Sequence, residues 1–167
     1  HSGGNTIRDQ DRVVATFPQA EYWVQRMEWA EAVHPDARTS GTYLAENFAP
    51  LVAEGKMRLL HGDTPVTDEV RCVVTQGHTR GHQCVLLESR DWQGLYVADM
   101  ATFAVHMQRP GWGTAYAVLP VENIATKARW RRWPAETGAW LIFEHDPWTP
   151  IARLVRRGEH LDLDPVE

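Results

Sequence analysis

Thr75-Gln76-Gly77-His78-Thr79-Arg80-Gly81-His82-Gln83 is the stretch on which the reading of the fold turns. An apolar, β-branched run precedes it at 70–75 and another follows at 83–88, so it reads as the connection between two strands. Glycines at 77 and 81 let the backbone turn sharply, which projects a histidine at a strand end into a cleft instead of the core. That is one way to present a metal ligand. An isolated His-x-x-x-His pair can equally be two imidazoles hydrogen-bonded within a hairpin, and the residues farther out must decide.

Two positions outside the turn favour the metal reading. Asp99 follows the apolar run Leu95-Tyr96-Val97-Ala98, and His145 follows Trp140-Leu141-Ile142-Phe143-Glu144. An ionisable residue just after a buried strand sits at the sheet edge, where several strand ends can converge. His1, beside Ser2-Gly3-Gly4, is a fourth candidate. Taken singly, Asp99 is an ordinary strand-end turn residue and His145 an ordinary surface histidine. Together with His78 they form an imidazole and carboxylate set suited to zinc, iron or manganese.

The remaining pattern is that of an α/β layered domain. Residues 13–17 read as a short buried strand that Pro18 ends, residues 19–32 as an amphipathic helix carrying Tyr22, Trp23, Met27 and Ala30, and residues 42–54 as a second helix. Short strands at 57–60, 70–75, 83–88 and 95–98 form a meander. Residues 107–119, rich in Gly, Pro and aromatics, read as a long loop over something functional. Pro120 opens a helix to about Trp133, residues 140–144 form a buried strand, residues 150–155 a short helix, and the acidic end from His160 is expected to fray. No repeat and no linker is visible, so a single domain over 1–167 is expected.

Composition narrows the function classes. A chain of 167 residues, 43% of them hydrophobic, can bury one substantial core. Its formal charge of −5, with basic residues scattered, argues against a nucleic-acid surface. The one basic run, Arg129, Arg131 and Arg132, reads as a solvated helical face. No apolar run approaches the ~20 residues that span a bilayer, so no membrane role is expected. A cytoplasmic location is expected, although a chain starting at His1 says little about an export signal. Cys72 and Cys84 lie in consecutive strands and could face each other, but read as reduced core thiols.

Four motifs in order resemble the metallo-β-lactamase superfamily: His-Ser-Gly-Gly-Asn at 1–5, Gly-His-Thr-Arg-Gly-His-Gln at 77–83, Val-Ala-Asp-Met at 97–100 and Phe-Glu-His-Asp-Pro at 143–147. The nearest look is to its lactonase and glyoxalase-II-like branch, and the resemblance covers nearly the whole chain. It implies an α/β fold that is part of a four-layer αββα sandwich, mostly its C-terminal half. By matching positions, His1 resembles the last histidine of an HxHxDH motif and a ligand of the second metal. His78 resembles a ligand of the first metal, Asp99 the bridging carboxylate at the catalytic centre, and His145 the remaining ligand of the second. His82 resembles a structural neighbour. The histidines and aspartate that precede His1 in the family are not in this chain, and Thr102 stands where acyl-homoserine lactonases often have a tyrosine.

The implied activity is metal-dependent hydrolysis of an ester, lactone, thioester or lactam bond in a small-molecule substrate. One or two zinc ions, or iron or manganese, would lower the pKa of a bound water from ~15.7 towards ~7 to give the attacking hydroxide. A mono-iron oxygenase or sulfur-transfer member of the fold is an alternative, as is a non-catalytic fragment packed against a partner. His106, Trp112 and Tyr116, with Phe103, are expected either to line the substrate cleft or to cover the core. Glu144 and Asp146 are candidates to orient the imidazoles. The missing half of the sandwich would leave an apolar strand face exposed, so self-association is expected.

Overall fold

The computed structural model describes residues 3–166, so the expected ligand His1 lies outside the described residues. The chain forms two compact units, one up to His61 and one from Gly62 onward.

In the first unit, β1 (Thr6–Asp9) and β2 (Arg12–Ala15) form an antiparallel hairpin with Thr6 opposite Ala15. β3 (Tyr22–Gln25) pairs in parallel with β4 (Met57–Leu60), and α1 (Arg26–Val33) and α2 (Ala49–Ala53) lie between them in the chain. The helix expected over 19–32 therefore starts only at Arg26. Tyr22, Trp23 and Val24 are aromatic or β-branched, lose side-chain freedom in a helix, and take the strand that β4 offers. The helix expected over 42–54 is reduced to a 3₁₀ turn at Ala45–Asn47 and the short α2. Pro50, in the first turn of α2, fits a helix start because it has no N–H to leave unpaired.

The second unit is built on a seven-stranded sheet in chain order: β5 (Thr64–Pro65), β6 (Val70–Val74), β7 (Gln83–Glu88), β8 (Gln93–Tyr96), β9 (Trp140–Ile142), β10 (Ile151–Arg157) and β11 (His160–Pro165). Every neighbouring pair is antiparallel except β8 and β9, which run parallel with Tyr96 opposite Ile142. A parallel pair needs a crossover. Here it contains a 3₁₀ turn (Ala98–Ala101), α3 (Ala104–Gln108), the loop 109–119, α4 (Pro120–Trp130) and α5 (Arg132–Thr137).

The C-terminal strands correct the sequence reading. Residues 150–155, expected as a helix, belong to β10, and the stretch expected to fray from His160 is β11. Ala152 and Leu154 are buried while Arg153 is exposed, a period of two that so short a window cannot separate from a helix. β11 survives its acidic composition because Leu161 and Leu163 pack against the core while the aspartates alternate with them.

The core of this unit joins Leu95 and Leu141, both fully buried on the parallel pair, to Cys84 and Leu86 of β7, Leu154 of β10, and Met100 and Met107 from the crossover. Each of these large apolar side chains contributes about 1.5–3 kcal/mol relative to exposure. Cys72 and Cys84 are buried free thiols, and burial pushes the Cys84 thiol up to about 12.

Two contacts fix α4 against the β6–β7 turn. Gly77 has φ +149, and a Cβ placed on it would lie 2.4 Å from the Asn123 Cα. The amides of Val118 and Leu119 donate to the carbonyls of His78 and Gly77 at 2.8 and 2.9 Å. One turn beyond Asn123, Lys127 is only 1% exposed, and its ammonium donates to the Trp112 carbonyl. Burial pulls the Lys127 pKa down from 10.5 to about 8.

Gly77→Ala is expected to cost about 2 kcal/mol or more in denaturant unfolding, from strained φ and a backbone clash together. A second expectation concerns pH. Between about 8 and 10.5 the unfolded chain holds a proton on Lys127 that the folded chain has released, so stability rises with pH across that window. Lys127→Met removes this dependence. Relative to the variant, the parent's unfolding free energy should gain on the order of 3 kcal/mol from pH 8 to 10.5, and a constant difference would refute the assignment.

Candidate metal centre

Strand direction brings the candidate ligands together. β6 and β8 each run antiparallel to β7, and β9 runs parallel to β8, so the C-terminal ends of β6, β8 and β9 lie along one edge of the sheet. His78, Asp99 and His145 all follow those ends. Their nitrogens and oxygens meet: His78 Nε2 is 3.6 Å from Asp99 Oδ2, and His145 Nε2 is 3.4 Å from Asp99 Oδ1. Two donors bound at ~2.1 Å to one tetrahedral ion lie about 3.4 Å apart.

Local structure explains each position. The turn 76–81 is closed at its base by the Thr75 amide donating to the His82 carbonyl at 2.9 Å, which leaves the Gly77 and His78 backbone to receive the end of the 109–119 loop. His78 is buried, with a side chain 4% exposed. Asp99 lies in the 3₁₀ turn after β8, and Ala98 before it holds a φ of 45°. A non-glycine residue in that left-handed region carries about 1–2 kcal/mol of strain. The Val97 amide donates to the Ile142 carbonyl at 3.1 Å and the Met100 amide to the Val97 carbonyl at 3.2 Å, which hold the turn in place. His145 sits after β9 with its side chain 46% exposed.

His82 faces another way. Its Nδ1 lies 2.7 Å from Thr75 Oγ1, which in turn lies 3.1 Å from Cys84 Sγ, and the Cys84 thiol donates to the Val97 carbonyl. Burial first, and the nearby His78 second, pull the His82 pKa down to about 4. It is a neutral imidazole tying β6, β7 and β8 together beneath the turn.

The two acidic candidates for orienting the imidazoles separate clearly. Glu144 Oε1 lies 3.7 Å from His145 Nε2, and its other oxygen accepts the Tyr96 hydroxyl. Burial first, and then Glu144, push the Tyr96 pKa well above its ordinary value, so the phenol keeps its proton. Asp146 does not serve an imidazole. Its carboxylate accepts the amides of Ala104, Trp148 and Thr149 at 2.9, 3.1 and 2.9 Å, fastening the start of α3 to the turn after β9. In sequence Tyr96 reads only as part of an apolar strand, and the signal for its role is the alternation with Leu95, which places it on the opposite face.

The substrate-lining candidates have different surroundings. His106 is buried in α3, its Nδ1 facing the Phe103 amide at 3.4 Å and its ring edge-on to Phe103. Burial, then the Lys127 charge, lowers its pKa. Trp112 is about half exposed beneath the Arg109 guanidinium, 4.9 Å from ring centre, and Tyr116 is 77% exposed.

Among the described residues no group of three His, Cys, Asp or Glu side chains is placed to hold one metal ion. The arrangement is instead two pairs that share one carboxylate: His78 with Asp99 Oδ2, and His145 with Asp99 Oδ1. Imidazole and carboxylate at this spacing fit a divalent metal at either position, each needing further ligands to close its shell.

No protein-family model matches the sequence, and no curated protein matches it. Solved structures do. A probable metal-dependent hydrolase from Staphylococcus aureus superposes with a TM-score of 0.81 at 26% identity, over 92% of this chain and 55% of that one. The dizinc quorum-quenching lactonase AidC, solved with the product N-hexanoyl-L-homoserine, gives 0.79 at 18% identity over 100% and 60%. The hydrolase AbOPH of the β-lactamase superfamily gives 0.77 at 21% identity over 92% and 57%. The chain thus spans a little over half the length of each of these structures, and over that span it has the metallo-β-lactamase fold.

Proposed function

We propose that this chain belongs to a metal-dependent hydrolase and supplies His78, Asp99 and His145 to its metal centre. The observation that carries the reading is the Asp99 carboxylate, which turns one oxygen towards each imidazole at 3.6 and 3.4 Å. The likeness to a metal-dependent hydrolase and to a dizinc lactonase supports it. Zinc is the metal we propose, and the substrate class is a small molecule with an ester, lactone, thioester or lactam carbonyl.

A divalent metal bound there supplies Lewis acidity and an acidified water at neutral pH. The chain's own groups do the positioning. Asp99 is held by the backbone of its 3₁₀ turn, and His78 by the turn that α4 clamps. His145, half exposed, is the ligand nearest solvent and has Glu144 beside it. The Tyr96 hydroxyl keeps its proton across the neutral range and donates a hydrogen bond to Glu144, which holds that carboxylate in place beside His145.

Dialysis against zinc followed by elemental analysis tests the centre. The chain should retain about one equivalent, and Asp99→Ala, which removes the shared carboxylate, should lose most of it while keeping its far-ultraviolet dichroism. Retention of less than about a tenth of an equivalent of any transition metal would sink the proposal. Lactone or ester opening followed by base uptake at constant pH then tests the reaction, and it should vanish in the same variant.

A further inference from the structure

The basic run that reads as a solvated helical face acquires partners in the fold. Arg131 and Arg132 stand at the junction of α4 and α5. Arg109, at the end of α3, and Arg156, near the end of β10, join them around one cleft of about 620 Å³, with His160 at the start of β11 completing the rim. Three separate stretches of the chain contribute these residues, the end of α3, the α4–α5 junction and the β10–β11 hairpin.

The charge balance there departs from that of the whole chain. The protein carries a formal charge of −5, yet four guanidiniums line this cleft against two carboxylates, Glu159 and Asp162. Asp162 already accepts Gln108 Nε2 at 3.2 Å. Among the described residues, none of the four guanidiniums has a carboxylate within ion-pair distance. Arg131 is half buried and fixed by donation from its terminal nitrogen to the Gln108 carbonyl at 2.9 Å, while its Nε is buried without a hydrogen-bond partner among the described residues. Like charges gathered in a concave site raise the local positive potential and draw anions to it.

The arginine fork matches the oxygens of a phosphate, and a cleft of this volume suits a ligand of nucleotide size. An extended nucleic-acid track is not favoured, because the chain as a whole carries a formal charge of −5 and the four guanidiniums gather around one cleft. We infer that the cleft between the α4–α5 junction and the β10–β11 hairpin is a binding site for a small molecule bearing a multiply charged phosphate group. The site is separate from His78, Asp99 and His145 and does not depend on the metal proposal.

Calorimetric titration of the full chain in low salt tests this, with EDTA present so that phosphate held on a metal does not contribute. The probes are sodium tripolyphosphate, ATP, adenosine and hexaglutamate. Saturable binding of tripolyphosphate, with or without ATP, and none of adenosine is expected. ATP binding much more tightly than tripolyphosphate assigns the site to nucleotides, and equal affinities assign it to the phosphate chain alone. Arg132 and Arg156 are exposed, so the double variant Arg132→Gln/Arg156→Gln should keep the parent's melting temperature and weaken binding by about tenfold or more. No saturable heat from either phosphate probe, binding unchanged in the double variant, or tighter binding of hexaglutamate than of both phosphates would each overturn the inference.

Discussion

One parallel pairing organises the second unit. In a sheet otherwise antiparallel throughout, β8 and β9 run side by side in the same direction, with Gly94, Leu95 and Tyr96 opposite Trp140, Leu141 and Ile142. An antiparallel neighbour for β8 would have sent the residues after β9 to the far edge of the sheet, out of reach of Asp99. The pairing also obliges the chain to leave the sheet and return, and the excursion carries α3, α4 and α5. Those elements then supply Met107 to the core, Asn123 against the Gly77 turn, and three of the four cleft arginines. Core, metal-ligand candidates and basic cleft all descend from a register three residues long.

What the sequence makes legible follows from this. Strands β6 and β7 are short runs bounded by glycine and polar turns, and local pattern suffices to find them, whereas the strand expected at 95–98 lies two residues earlier because Val97 and Ala98, though apolar, lead into the 3₁₀ turn. The positions of His78, Asp99 and His145 could be read because each closes an apolar strand run, a purely local signature. β10 and β3 look helical in sequence for a physical reason. Their strand character comes from partners, β9 and β11 in one case and β4 in the other, that lie elsewhere in the sequence.

Charged residues were the least legible. Glu144 and Asp146 are two positions apart and look equivalent in sequence, yet one lies beside His145 and the other is consumed by three backbone amides. Lys127 reads as an ordinary cation on an amphipathic helix, and only the return of the 109–119 loop over α4 buries it. Arg131 and Arg132 read as a solvated face because the residues that turn that face into a cleft come from α3 and from the last hairpin. Burial of a polar group is a tertiary property, and period alone does not carry it.

The left-handed backbone at Ala98 has a consequence for how the site comes into being. Asp99 owes its direction to main-chain geometry that is complete once β8 and β9 have paired, before any ligand arrives. The direction in which the side chain leaves the backbone is thus set in advance, and less conformational freedom remains to be surrendered when the carboxylate is engaged. Folding free energy, drawn down by the strained residue, has already covered that ordering cost. The half-exposed His145 is the less constrained partner, so adjustment to whatever binds falls to the imidazole on the solvent side.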